Sequence, residues 1–303
     1  MTVSVYQIQY GDDVVGTFDP AFITYDCRAN PEREKRETAH MLRFYDEGVW
    51  RHHNAEHFGL VSPKFAGKAR IGGKAFIDWV QANPGYDVYF INPFPQVSYW
   101  HFNVWTQGEF WHLGLGDLAD ALFAAAGHSI RVEALPRNTA ASLLYSNYWV
   151  GNEGFWRVYM AFVRNIAAAV DNLSAGDRTK LFGLAPHSAP ATYFAFVFER
   201  LFSTFLVLHE DIAGLPYPHG HDDMLGRCDN DMERFIIGAW SEMIDAWDAV
   251  GRNDAEYRKL FANLEGMLRI YLSVAPPVAE ADPAIDSGLI GLLGRTLARA
   301  RRR

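Results

Sequence analysis

Glu199 and Arg200 sit side by side in an otherwise apolar, aromatic run, ATYFAFVFERLFSTFLVL at Ala191–Leu208. Burying a charge is costly unless it is paired or faces a cleft. Neighbours on a helix are about 100° apart. Both charges can therefore reach one edge of a pocket while Phe196, Leu201 and Phe205 pack inward. The pair also fits a structural role, an ion pair that anchors the helix.

The second concentration of chemistry is Tyr99–His112, YWHFNVWTQGEFWH, which interleaves six aromatic rings with two histidines, Asn103, Gln107 and Glu109. Aromatic faces stack on the apolar side of sugar rings, and amides and carboxylates bond their hydroxyls. The same composition suits a core segment or lid packed by its aromatics. Asn147 and Asn152, in YSNYWVGNEGFW, are of a type that bonds sugar hydroxyls and also forms turns. His219, His221 and Asp223 have a spacing that can hold Zn²⁺ in a metal-dependent hydrolase. The Asp222–Asp223 pair equally suits a helix N-terminus. There is no phosphate-cradling Gly-x-x-x-x-Gly-Lys loop and no Gly-x-Ser-x-Gly elbow.

These residues need elements to position them, and the pattern supplies an alternation. Val3–Tyr10, His57–Val61 and Tyr86–Ile91 read as strands, and Leu143–Val150 as a strand or strand-like run. Glu37–Trp50, Gly73–Gln81, Gly116–Ala126 and Glu153–Asn172 read as helices. Strands alternating with helices predict an α/β fold. Composition changes after Gly214, and Asp231–Ala249 and Asp254–Val274 read as amphipathic helices. The predicted division is 1–215 for the α/β domain and 216–303 for a helical C-terminal extension. With a net charge of −8 over 303 residues, the chain is not expected to bind nucleic acid. Cys27 and Cys228 form no redox or metal motif, no signal peptide is apparent, and no apolar run reaches the roughly 20 residues of a spanning helix. A cytoplasmic protein is expected. The tail beyond Leu289 combines leucines with Arg295, Arg299 and Arg301–Arg303, a pattern suited to peripheral contact with an anionic membrane, to dimer packing or to a solvated terminus.

The order of motifs resembles a family of bacterial capsular and lipopolysaccharide glycosyltransferases of the GT-A type. Five segments carry the resemblance over about the first seven-tenths of the chain. They are a helix with Glu37 leading to HFGLVSPKF, then YDVYFINP, TQGEFWHLGLGDL, YSNYWVGNEGFWRVYMAF and FVFERLFSTFL. Ser62-Pro63-Lys64-Phe65 stands where the family tends to place two arginines, and no Asp-x-Asp follows a strand in the usual position. The resemblance implies a GT-A-like nucleotide-sugar-binding domain. It would transfer a sugar from a nucleotide sugar to a cell-surface polysaccharide or lipid-linked glycan. A non-catalytic sugar-binding protein on a transferase scaffold is the alternative. The leaving diphosphate needs fixed cations, donors or a metal. Gln7, Asp12, Lys64, Asn147, Asn152 and Arg200 are the expected donor-binding residues, and Glu109, His112 and Glu199 the expected catalytic ones. No metal is required on this reading, with Mn²⁺ or Mg²⁺ at Asp12 or Asp87 as the alternative.

Overall fold

A computed structural model describes residues 1–11, 18–187 and 190–274. Its centre is a mixed six-stranded sheet in the order β2-β1-β3-β5-β4-β6. The strands are β1 (Val3–Gln9), β2 (Ile23–Asp26), β3 (His57–Val61), β4 (Val88–Phe90), β5 (Trp149–Asn152) and β6 (Gly214–Pro216). Five run in one direction and β5 alone runs against its neighbours β3 and β4. The α/β class predicted from the alternation is what the structure has.

Side chains alternate across the strands, as the two-residue period requires. Tyr6, Ile8, Phe58, Leu60, Val88 and Phe90 enter the larger core. Val5, Val61, Tyr89, Ile91 and Val150 enter a smaller one on the opposite face. The smaller core is covered by α2 (Phe65–Ala69) and α3 (Gly73–Ala82), through Phe65, Ala69, Phe76 and Val80. On the larger face lie α1 (Glu37–Asp46), α4 (Val104–Trp111), α5 (Leu115–Ala125), α6 (Glu153–Ala169), α7 (Ala175–Leu181), α8 (Tyr193–Glu199) and α9 (Leu201–Leu208). Much of the aromatic content is spent here. Trp50, Phe58 and Trp156 stack at centroid spacings of 4.3 and 5.1 Å, with Trp149 4.4 Å beyond.

Three sequence expectations change. Leu143–Val150 is not one strand: β5 starts only at Trp149, after a turn in which Ser146 and Asn147 have φ of 67° and 52°. A side chain makes this left-handed conformation costly, so the turn is held by its surroundings. Ala191–Leu208 is two helices, broken at Arg200. The boundary at 215 falls inside β6, whose Leu215 pairs with Tyr89. The helices beyond it, α10 (His221–Gly226), α11 (Asp231–Ala249) and α12 (Ala255–Val274), do not form a separate extension. Ile236, Ile237, Ile244, Tyr257, Phe261, Leu264 and Leu268 all enter the larger core. Arg137 binds them to the sheet domain: its guanidinium donates to Asp248 at 3.1 and 3.2 Å and to the carbonyls of Ser98, His101 and Phe102.

The start of α11 is pH-sensitive. Asn230 caps it by accepting from the Glu233 amide, and buried Glu233 accepts in return from the Asp229 amide at 2.8 Å and from Asn230 Nδ2 at 2.9 Å. Burial pushes the Glu233 carboxyl up to about 7 and Asp229 up to about 6. Both folded values exceed the unfolded ones, so their stabilising contribution is present at acid pH and is lost as pH rises through 6 to 7. Urea titrations are expected to show stability falling by as much as about 4 kcal/mol from pH 5 to pH 8. The slope should be shallower in Glu233→Gln.

Among the described residues, no helix is long and apolar enough to cross a membrane. The predicted membrane-contact tail at 289–303 lies outside them.

Candidate functional site

Sheet topology dictates where a ligand fits. From β1 the chain moves outward to β2, and from β3 it moves the other way, to β4 and β6. The direction therefore switches between β1 and β3. In open α/β sheets the crevice beyond the carboxyl ends of strands at such a switch is the binding site. A cavity of about 520 Å³ lies there. Tyr10 follows β1, Ser62 and Lys64 follow β3, and Phe94 follows β4; all four line it. Tyr145 and Ser146, which precede the reversed strand β5, reach it from the same end.

The cavity is cationic although the chain is acidic. Arg33, Arg36, Lys64, Lys68 and Arg200 contribute positive charge against the carboxylates of Glu37 and Glu199. Arg33, Arg36 and Lys64 are exposed at its rim, and Lys68 is half-buried. Lys68 Nζ donates to Ser146 Oγ at 3.2 Å. The Arg36 guanidinium is held by the Pro190 carbonyl.

Glu199 and Arg200 are brought together at the cavity wall, 3.8 Å apart, as a joint between elements. Arg200 is 1% exposed. It donates from Nε to the Val104 carbonyl at 2.8 Å, from Nη1 to the Phe196 carbonyl at 2.6 Å, and from Nη2 to Gln107 Oε1. Gly108 makes this approach feasible, since a Cβ there would lie 2.6 Å from Arg200 Nε. Three of its five N–H donors are thus used by the protein, which gives Arg200 a positioning role beside the one expected of it as a cation near a diphosphate. Glu199 Oε1 accepts from the Ser146 amide at 2.9 Å and so holds the left-handed turn that presents Ser146.

His112 also lines the cavity. It is 4% exposed, stacks on Phe196 at 3.9 Å and has a buried Nδ1 without a hydrogen-bond partner. Burial, with Arg200 and His187 nearby, pushes it down to about 3, so the ring is neutral. Lys64 is the other expected residue that the cavity contains.

The remaining expectations do not converge there. Glu109 accepts from the amides of Gly114 at 2.7 Å and Gly116 at 3.0 Å. Its carboxylate neutralises the open amides at the start of α5 and does not line the cavity, which removes it as a base. Gln7 is 1% exposed and spans between Ser62 O and the Asp19 amide inside the sheet. Asn152 caps α6 through the Phe155 amide and donates to Asp87 Oδ1 at 2.9 Å, a structural role. Asn147 lies in the turn beside Ser146, with its Oδ1 buried and unpartnered, but is not part of the lining. Asp12 lies outside the described residues.

The hydrolase ligand set does not assemble. His219 Nδ1 bonds Asp223 Oδ2 at 2.7 Å, and Arg227 Nε lies 3.0 Å from the same carboxylate. The guanidinium supplies the positive charge that a metal would bring. No group of three His, Cys, Asp or Glu among the described residues is arranged to hold a metal ion.

Sequence reasoning did not assign Glu37, Lys68, Tyr145 or Ser146 to the site. Lys68 had a signal: it stands one helical turn beyond Lys64, directly after a strand. Glu37 was hidden in the charge run Arg33-Glu34-Lys35-Arg36-Glu37, which reads as solvated surface. No protein-family model, curated protein or solved structure matches the chain.

Proposed function

We propose that this protein is a glycosyltransferase that uses a nucleotide-sugar donor and adds the sugar to a glycan acceptor of the polysaccharide or lipid-linked class. The observation that carries the reading is the cavity itself. It lies beyond the carboxyl ends of β1, β3 and β4 at the switch in strand order, and five cationic side chains and two carboxylates line it. A nucleoside diphosphate fits such a crevice, with its phosphates toward Lys64, Lys68 and the rim arginines. Breaking the bond between sugar and diphosphate builds negative charge on the leaving group, and cations already in place stabilise it without reorganising. Phe94, Trp111, Tyr145 and Phe196 supply the flat apolar surfaces against which a sugar or base packs. The GT-A likeness seen in the motifs belongs to the same reading. So does the GT-A label for the fold: a sheet with a single reversed strand beside the switch point is compatible with it.

The test is a thermal-shift series with UDP, GDP and dTDP and their sugar conjugates, run with EDTA and with Mn²⁺, followed by an assay of nucleoside diphosphate release. Ligand that binds only the folded state raises stability with the logarithm of its concentration over Kd. One base family is expected to shift the melting temperature. Release of the diphosphate upon adding an acceptor would separate a transferase from a sugar-binding protein. Absence of any shift across the series would remove the reading.

A further inference from the structure

Glu199, His112, His40 and His187 line the cavity besides Glu37. Glu199 is occupied by the Ser146 amide and Arg200. His112 and His40, the latter 4% exposed and pushed down to about 4 by burial and Arg43, have little basicity. His187 packs on Phe196, 5.1 Å between centroids. Glu37 differs in place and support. It stands at the first position of α1, in the cavity wall, where the helix N-terminus favours a carboxylate. Ser62 lines the same wall, and the Tyr148 hydroxyl lies 3.1 Å from Ser62 Oγ.

We propose that Glu37 is the catalytic base that takes the proton from the acceptor hydroxyl, and that the transfer consequently inverts the anomeric configuration. The inference rests on the transferase reading above and adds the residue and the stereochemistry. The acceptor O–H bond breaks and its proton passes to the Glu37 carboxylate. The electron pair left on the acceptor oxygen forms the new bond to the anomeric carbon. The bond from that carbon to the diphosphate oxygen breaks, and its electron pair leaves on the diphosphate. A direct displacement by an activated hydroxyl enters opposite the leaving group, so configuration inverts.

The electrostatics fit a base. Burial raises the Glu37 carboxyl above the ordinary carboxylate range and Glu199 on α8 adds to this, while Lys68 on α2, Arg36 beside it and the Ser62 hydroxyl after β3 oppose. A carboxylate with a raised value holds a proton more firmly, which is what a base needs.

The experiment uses the full chain with the donor chosen from a panel of UDP-, GDP- and dTDP-sugars and octyl glycosides as acceptors. Glu37→Gln is expected to keep the donor KM within about threefold and to lose 10²–10⁴-fold in kcat, the range for a positioned base. The wild-type rate should fall as pH drops through a value above that of an ordinary carboxylate, and this acid limb should vanish in the variant. Formate should partly restore Glu37→Ala, which a merely structural carboxylate would not show. Wild-type product should carry the inverted anomer by NMR. This measurement and the wild-type pH profile decide the matter even if the variants unfold. Retained configuration, or a folded Glu37→Gln with wild-type kcat, overturns the assignment of Glu37 while leaving the transferase reading in place. Wild-type protein that neither binds nor turns over any of these donors overturns both.

Discussion

Arg200→Ala is expected to lower the unfolding free energy by about 3–5 kcal/mol, the range for removing one partner from a buried charged network. The reason is the number of acceptors that one guanidinium serves. Its loss leaves the Val104 carbonyl, the Phe196 carbonyl and Gln107 Oε1 without their donor, inside a wall where Arg200 itself is 1% exposed. Each unmet buried polar group costs about 1–3 kcal/mol. Glu199 would also lose its counter-ion, and its hold on Ser146 with it. Arg200→Lys is not expected to restore the loss, because a single ammonium cannot serve acceptors on α4 and α8 from three directions. Urea unfolding of the two variants measures this. A change under about 1 kcal/mol in Arg200→Ala, with ligand affinity reduced, would make Arg200 a ligand-binding cation after all.

This pair also marks how far the sequence is legible. Two adjacent charges in an apolar helix are correctly read as a pocket edge and as a structural joint, because both follow from the cost of buried charge. What is not legible is the partner list. The acceptors on α4 lie more than ninety positions away, and no local pattern encodes that distance. The same limit explains Glu109. A carboxylate among aromatics looks like a base, but its partners are backbone amides five and seven residues on, set by the turn into α5. The aromatic surplus misleads in a different way. Stacked rings serve a core as well as a sugar, and Trp50, Trp149 and Trp156 go to the core while Trp111 goes to the cavity.

Long elements are the most legible. The runs at Glu153–Asn172 and Asp231–Ala249 meet α6 and α11 closely, because many turns of apolar periodicity outweigh any local irregularity. Short elements are not. Ile23–Asp26 has too few residues for alternation to register, and β6 hides in a proline-containing loop because its pairing with β4 is tertiary. Left-handed Ser146 and Asn147 break what looks like a continuous strand. That turn is maintained from outside by Glu199 and Lys68, so the sequence there contradicts its own conformation at the place where the cavity is built.

Lys68→Met tests whether fixed cations handle the diphosphate charge. The substitution keeps an apolar stem and removes the ammonium, which lies 5.9 Å from the Phe94 ring centroid and donates to Ser146 Oγ. A charge-assisted hydrogen bond to a charged group contributes about 1.5–3 kcal/mol. Affinity for a nucleoside diphosphate is therefore expected to fall roughly a hundredfold, about 2.7 kcal/mol. Affinity for the nucleoside, which has no phosphate, should be unchanged, and the salt dependence of diphosphate binding should weaken. Stability should change little, since Lys68 is only half-buried and its partner is a neutral hydroxyl. The variant has a second consequence. Lys68 lowers the Glu37 carboxyl against the effects of burial and Glu199. Without it the carboxyl rises further, and the acid limb of the rate profile should move to higher pH. Isothermal titration with and without EDTA completes the test. Wild-type affinity that survives chelation and collapses in Lys68→Met places the charge on lysine and arginine. Affinity that vanishes with EDTA and is insensitive to Lys68→Met would assign it instead to a metal held by acidic groups.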